Sequence, residues 1–201
     1  MTPSWILVTG VTNPRDAHLA EALGADAVGV VLVEGDPRRV RLDLAAEITL
    51  GLTIEAIAIM ADPSPEELRS AVLMMEPSRL QLRVPPAADT PPPLPWYLSF
   101  PARDRSVVSQ VKGHPGDRFL LDLAPEMLPG GAIWQRDRSL LREVGGLGAM
   151  VLGGLPDLAM AAEVVERARP WGIVLGACVE QAPGLLDGDK LQRAMRALRG
   201  R

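Results

Sequence analysis

The stretch that decides the fold is Trp5-Ile6-Leu7-Val8-Thr9-Gly10-Val11-Thr12-Asn13-Pro14-Arg15-Asp16-Ala17. Five residues rich in apolar side chains give way to a glycine, then to an Asn-Pro pair that starts a helix. Asparagine supplies a side-chain acceptor for the first free amides, and proline fits the first helical position because its missing N–H would have no partner there. The predicted helix runs to Leu23 and stops at Gly24, a glycine end signal. One strand, one turn and one helix fill about 24 residues, and the pattern repeats.

Outward from this unit, the next apolar run is Asp26 to Val33, continuous as a strand buried on both faces should be. The loop Gly35-Asp36-Pro37-Arg38 leads to a helix from about Leu42 to Leu50. Ile54 to Met60 forms the third strand, with Asp62 or Ser64 capping a helix whose first turn holds Pro65, Glu66 and Glu67. Arg79 to Arg83 is the fourth. The proline-rich stretch from Pro85 to Pro95 cannot pair centrally or coil, so it reads as an extended surface crossing that shortens or replaces a helix. Trp96 to Phe100 is the weakest strand, with a poor helix from Arg103 to Lys112 behind it; Phe119 to Asp122, Ala149 to Leu152 and Gly172 to Gly176 complete the set. A last helix spans about Asp187 to Leu198. Eight strands with intervening helices favour a small (β/α)8 TIM barrel, one domain over residues 1–201, over an open flavodoxin-like sheet. No G-x-G-x-x-G follows the first strand, which argues against dinucleotide binding.

Composition narrows the function classes. Apolar residues make up 47% of the chain and aromatics 3%, so the core is aliphatic. A net charge of −4 gives no electrostatic reason for nucleic-acid or anionic-membrane partners. The only lysines, Lys112 and Lys190, lie outside apolar runs, which argues against a buried Schiff-base lysine. His18 and His114 lack neighbours at ligand spacing, so no metal and no cofactor is expected. The single cysteine, a missing basic leader and the lack of membrane-length apolar runs lead us to expect a cytoplasmic protein. Monomer and homodimer both remain open.

Barrel enzymes carry their reactive groups at strand C-termini and commonly hold phosphate after strands seven and eight. Asp122 closes an apolar run, where desolvation would favour a protonated general acid; a backbone-capping aspartate is the alternative. Arg38 either holds an anion, pairs with Asp122, or is a surface arginine beside Arg39 and Arg41. Gly153-Gly154 and the turn Gly176-Ala177-Cys178-Val179-Glu180 each permit close approach of backbone amides to an anion. Together they suggest a phosphate site.

These pieces occur in an order that resembles the phosphoribosylanthranilate isomerases. Leu7 to Ala17 resembles that family's first-strand motif, Lys-Ile-Cys-Gly-Ile-Thr with its helix start. Leu23 to Gly29, Asp36-Pro37-Arg38-Arg39-Val40 and Gln81-Leu82-Arg83 resemble its next motifs. Phe119 to Asp122, Pro129-Gly130-Gly131 and Gly153-Gly154-Leu155 resemble strand six and loops six and seven, and Val179-Glu180-Gln181-Ala182-Pro183-Gly184 resembles Val-Glu-Ser-Ala-Pro-Gly. The likeness is weakest between about residues 84 and 117.

The resemblance implies an Amadori aldose–ketose isomerisation of a phosphoribosyl amine in tryptophan biosynthesis, with a small phosphorylated sugar-type ligand. It casts Asp122 as general acid and Thr9 at the position of the basic cysteine. Arg38, Gln81, Arg83 and Val174 fall at substrate-binding positions. Gly130, Gly131, Gly153, Gly154, Gly176, Ala177 and Cys178 fall at phosphate-binding ones. The departures cluster on that chemistry. Thr9 offers a hydroxyl instead of a thiol, Arg83 replaces a histidine, and Ala132-Ile133 replaces Thr-Gly. Val174 replaces an aspartate, and Gly176-Ala177-Cys178 replaces Ser-Ser-Gly. A hydroxyl supplies no useful anion near neutral pH. The expectation is therefore an impaired or altered isomerase. Its alternative is a repurposed or non-catalytic barrel that binds another small ligand or a partner protein. Cys178 reads either as a relocated thiol or as a small buried hydrophobe.

Overall fold

A computed structural model describes residues 2–86, 91–114, 116–123 and 138–200. Eight parallel strands close into a barrel in sequence order. They are β1 (Trp5–Thr9), β2 (Ala27–Val31), β3 (Glu55–Ile59), β4 (Arg79–Leu82), β5 (Trp96–Pro101), β6 (Arg118–Asp122), β7 (Ala149–Gly153) and β8 (Gly172–Leu175). Closure comes from β1 pairing with β8, with Leu7 opposite Val174. The helices are α1 (Pro14–Ala22), α2 (Leu42–Thr49), α3 (Pro65–Met75), α4 (Val107–Lys112), α5 (Arg138–Gly145), α6 (Leu158–Ala168) and α7 (Gly188–Arg199). A short hairpin of β9 (Glu180–Ala182) and β10 (Leu185–Leu186) precedes α7.

The local chemistry explains most boundaries. Asn13 caps α1 by accepting from the Asp16 amide, with Pro14 in the first turn, and Gly24 turns the chain away at φ +89°. Of the two candidates for α3, Ser64 is the cap, in a reciprocal box with Glu67. The strands are shorter at their ends than the apolar runs suggest: β2 stops at Val31 and β4 at Leu82. β5 is better formed than its sequence suggests, pairing with both β4 and β6. The helix behind it starts only at Val107, because Asp104 accepts from the Ser106 amide and holds that segment in a turn. Between β4 and β5 no helix occurs among the described residues.

Two apolar layers share the core, the larger between strands and helices and the smaller inside the barrel, around Leu7, Ile57, Tyr97 and Leu120. The N-terminal end of the barrel is sealed. Trp5 stacks on Trp171 at 5.6 Å, and the Arg118 guanidinium lies 5.1 and 4.7 Å from their ring centres. Glu55 Oε2 accepts from both Trp5 Nε1 and Arg118 Nη1, each at 3.2 Å. A plugged bottom leaves the C-terminal mouth as the open end. No helix among the described residues is long and apolar enough to cross a membrane.

One side chain beside β5 makes stability depend on pH. His114 packs edge-on to Trp96 and Phe100 and donates from Nε2 to the Arg118 carbonyl at 2.9 Å, leaving Nδ1 buried without a partner among the described residues. Burial holds its pKa below the ordinary histidine value, against the opposing pull of the Arg118 carbonyl and Asp117. The folded form therefore prefers neutral imidazole. Stability is fully present above the unfolded value of about 6.5 and falls as pH drops from there through the lowered folded pKa. Thermal melts from pH 7.5 to 5 should show a loss that His114→Phe does not; equal slopes would refute this.

Candidate active site

The mouth of the barrel holds a cavity of about 350 Å³, and most of the residues singled out from the sequence line it. Thr9 ends β1 and Asp122 ends β6, so they face the cavity from strands three places apart around the closed sheet. Gln81, Arg83 and Arg38 reach it from β4 and from the loops after β4 and β2. Gly153, Gly154, Val174, Gly176 and Ala177 form the side built by β7 and β8. Gly130 and Gly131, with Ala132 and Ile133, lie outside the described residues.

Space for Thr9 is made by two glycines. A Cβ placed on Gly29 would come within 3.0 Å of Thr9 Oγ1, and one on Gly176 within 3.0 Å of Thr9 Cγ2. Both contacts are tighter than ordinary packing. A Cβ on Gly29 would also meet Ile59 Cδ1 at 2.8 Å, so the glycine in β2 keeps room for both side chains. Among the described residues the Thr9 hydroxyl has no hydrogen-bond partner, so it is presented to the cavity.

Arg38 is tied more firmly than a surface arginine. Its Nε and Nη2 each donate to Glu180 at 2.7 Å, a two-pronged pair, and Nη1 lies 3.8 Å from Asp36. Hydrogen bonding to Glu180 is the main reason its pKa is raised, with burial opposing. Arg38 therefore pairs with Glu180 and not with Asp122, because the loops after β2 and β8 are neighbours here. The Gly184 amide also donates to Glu180, at 3.2 Å. Gly10 allows this clamp: its φ is +78°, and a Cβ there would stand 2.7 Å from Glu180 Oε1. Glu180 has only 5% of its side chain exposed, so Arg38→Met would strand a buried carboxylate. We expect a loss of about 2–3 kcal/mol, at the low end because Arg38 itself is partly solvated. A denaturant midpoint unchanged from wild type would contradict this.

Of its two readings, the Cys178 side chain takes the buried one. The short 3-10 turn Ala177–Val179 directs the thiol into the outer core, where it is 4% exposed and lines no part of the cavity. Burial pushes its pKa up to about 11, only partly offset by the amides of Gly176 and Cys178 itself. It is the small buried hydrophobe and not a relocated nucleophile. The cavity also includes Asp36 and Ser99, which the sequence did not single out. Among the described residues no group of three or more His, Cys, Asp or Glu side chains is placed to hold a metal ion.

Arg83 is the cation at the mouth with no ion-pair partner among the described residues. Among the described residues the cavity thus combines one carboxyl group at a strand end, the Arg83 cation, two glycine-bearing turns and an apolar wall that includes Val174 and Leu120. It can accept an anionic ligand with both a polar and an apolar part.

Comparison with known proteins agrees with this architecture. No protein-family profile matches the chain. The N-(5'-phosphoribosyl)anthranilate isomerase of Rubrobacter xylanophilus is 31% identical over 96% of this chain and 97% of its own. The isomerase of Pseudomonas paraeruginosa is 30% identical over 98% of this chain and 95% of its own. Among solved structures, the phosphoribosylanthranilate isomerase of Thermotoga maritima superposes with a TM-score of 0.85 at 20% identity, covering all of both chains. A phosphoribosylanthranilate isomerase bound to reduced 1-(o-carboxyphenylamino)-1-deoxyribulose 5-phosphate gives 0.79 at 19%, again over all of both chains. With 31% identity, near-complete coverage on both sides and the same barrel fold, this chain belongs to the phosphoribosylanthranilate isomerase family.

Proposed function

We propose that this protein isomerises N-(5'-phosphoribosyl)anthranilate to its 1-deoxyribulose product in tryptophan biosynthesis, with Asp122 as the acid and at a rate limited by Thr9. The observation that carries the proposal is the placement of Asp122 and the two glycine turns around one cavity in a member of this family. The reaction moves hydrogens within one molecule and is redox-neutral, so no electron-transfer cofactor enters it.

The Asp122 carboxyl donates its proton to the furanose ring oxygen as the C1–O bond breaks, and the nitrogen lone pair forms a C=N⁺ bond. Removal of the C2 proton then gives an enolamine. Loss of the O2 proton and gain of a proton at C1 yield the ketone. Thr9 occupies the base position but is not a base at neutral pH. Its unpaired hydroxyl instead orients a water that carries the C2 proton, and Asp122, ionised by the first step, is the carboxylate available to receive it. The turns Gly153-Gly154 and Gly176-Ala177 hold the phosphate, where Gly154 at φ +71° leaves the backbone uncovered. Val174 and Leu120 pack on the anthranilate ring, and Arg83 meets its carboxylate.

The test is loss of anthranilate-type fluorescence when purified protein meets N-(5'-phosphoribosyl)anthranilate. Slow turnover is expected. No turnover by the wild type and by Thr9→Cys, with no binding of the reduced product analogue, would overturn the reading.

A further inference from the structure

We propose that the buried phenol of Tyr97 is a positioning residue: it turns the Gln81 amide so that its NH2 group faces the cavity, making the end of β4 a fixed hydrogen-bond donor to a ligand oxygen. Tyr97 sits inside the barrel on β5, directly opposite Gln81 on β4, and no part of it is exposed. Its hydroxyl lies 2.9 Å from Gln81 Oε1. No other hydrogen-bond partner meets that hydroxyl among the described residues, and this decides the amide orientation.

A phenol can donate one hydrogen bond and can also accept. If the amide were reversed, Tyr97 would accept from the Gln81 nitrogen, and its own O–H would be left buried with no acceptor. An unsatisfied buried donor costs about 1–3 kcal/mol, whereas donation to Oε1 satisfies both groups. The same burial raises the phenol's pKa far above neutrality, so the donor proton stays in place. The Gln81 nitrogen, in turn, has no hydrogen-bond partner among the described residues and is not among their buried unsatisfied atoms. Gln81 lines the cavity, so that nitrogen opens onto it.

The consequence is a selectivity rule for the β4 corner. A freely rotating glutamine can offer either an oxygen or an N–H₂ to a ligand. One locked by Tyr97 offers only N–H₂, and therefore favours a ligand that places an acceptor there. Under the isomerase reading, on which the identity of the ligand rests, that acceptor is a sugar or phosphate oxygen.

Two measurements test this separately from the catalytic reading. Side-chain amide NMR of the uncomplexed protein reports the orientation, with the Gln81 signal assigned by its absence in Gln81→Met. Weak Overhauser effects between the Gln81 NH2 and the Tyr97 ring protons are expected, because the nitrogen points away from the phenol. Strong ones would overturn the proposal. Calorimetric titration with the reduced product analogue reports the consequence. Tyr97→Phe should weaken binding about tenfold in the wild-type background and less than twofold in the Gln81→Met background. Gln81→Glu, which keeps an acceptor for Tyr97 but turns oxygen to the cavity, should lose as much as Gln81→Met. Equal losses from Tyr97→Phe in both backgrounds would mean a packing role and refute positioning. If the wild type fails to bind the analogue, the isomerase reading falls, and the NMR result still decides the amide orientation.

Discussion

Thr9→Cys should raise the turnover number for N-(5'-phosphoribosyl)anthranilate by between roughly 10² and 10⁴, the usual worth of a positioned base. The backbone already presents this side chain at the end of β1, at the cavity and without a hydrogen bond among the described residues. Cysteine is no larger than threonine, so the space kept by Gly29 and Gly176 accommodates it. The gain comes from acidity. A thiol of ordinary pKa is a few per cent ionised at neutral pH, while a hydroxyl is not measurably ionised. The neighbouring guanidinium of Arg38 is already paired with Glu180, so it gives a thiolate at position 9 little help. The variant's rate should therefore keep rising with pH above 8, whereas the wild-type rate should not follow that curve. KM should barely move, because no binding group changes. A rate within threefold of wild type, with analogue binding intact, would mean that the C2 proton does not lie against this strand end.

The barrel is legible in the sequence because its signals are local. Asn13-Pro14 and Ser64 with Glu67 announce helix starts, and glycines mark the turns, all within a few residues of one another. The line of strand ends was legible too, and it brought Thr9, Gln81, Asp122 and Val174 to one cavity. What could not be read was which way side chains point and what they meet. Strands of a parallel barrel are apolar on both faces, so alternation does not reveal that Tyr97 and Ser99 face inward. The Arg38–Glu180 pair joins residues 142 positions apart, and no local pattern links them. Cys178 was placed by analogy with a phosphate turn, but the 3-10 geometry rotates its thiol to the outer core. The plug of Trp5, Trp171 and Arg118 was likewise invisible, since Trp5 and Arg118 look like ordinary strand residues and Trp171 like a residue leading into one.

Asp122→Asn should remove turnover by a factor of roughly 10² to 10⁴ from the wild type, and by a larger factor in the Thr9→Cys background, where the gain from cysteine is lost with it. Asp122 is needed for ring opening, the step before the one that position 9 serves. Asparagine has nearly the shape of aspartate, so binding of the reduced analogue should change little, but its amide cannot hand a proton to the furanose oxygen. Without that proton the C1–O bond does not open, and a better base at position 9 has no open-chain species to act on. The double variant should therefore be no faster than Asp122→Asn alone, a strongly non-additive result of the kind expected when groups serve one reaction in sequence. If Thr9→Cys instead raised the rate equally in both backgrounds, ring opening would not depend on Asp122, and the acid would have to be sought elsewhere at the mouth. If Asp122→Asn abolished analogue binding together with turnover, its carboxyl would be holding the site in shape. The proton-donor role requires the separation of the two: binding kept, chemistry lost.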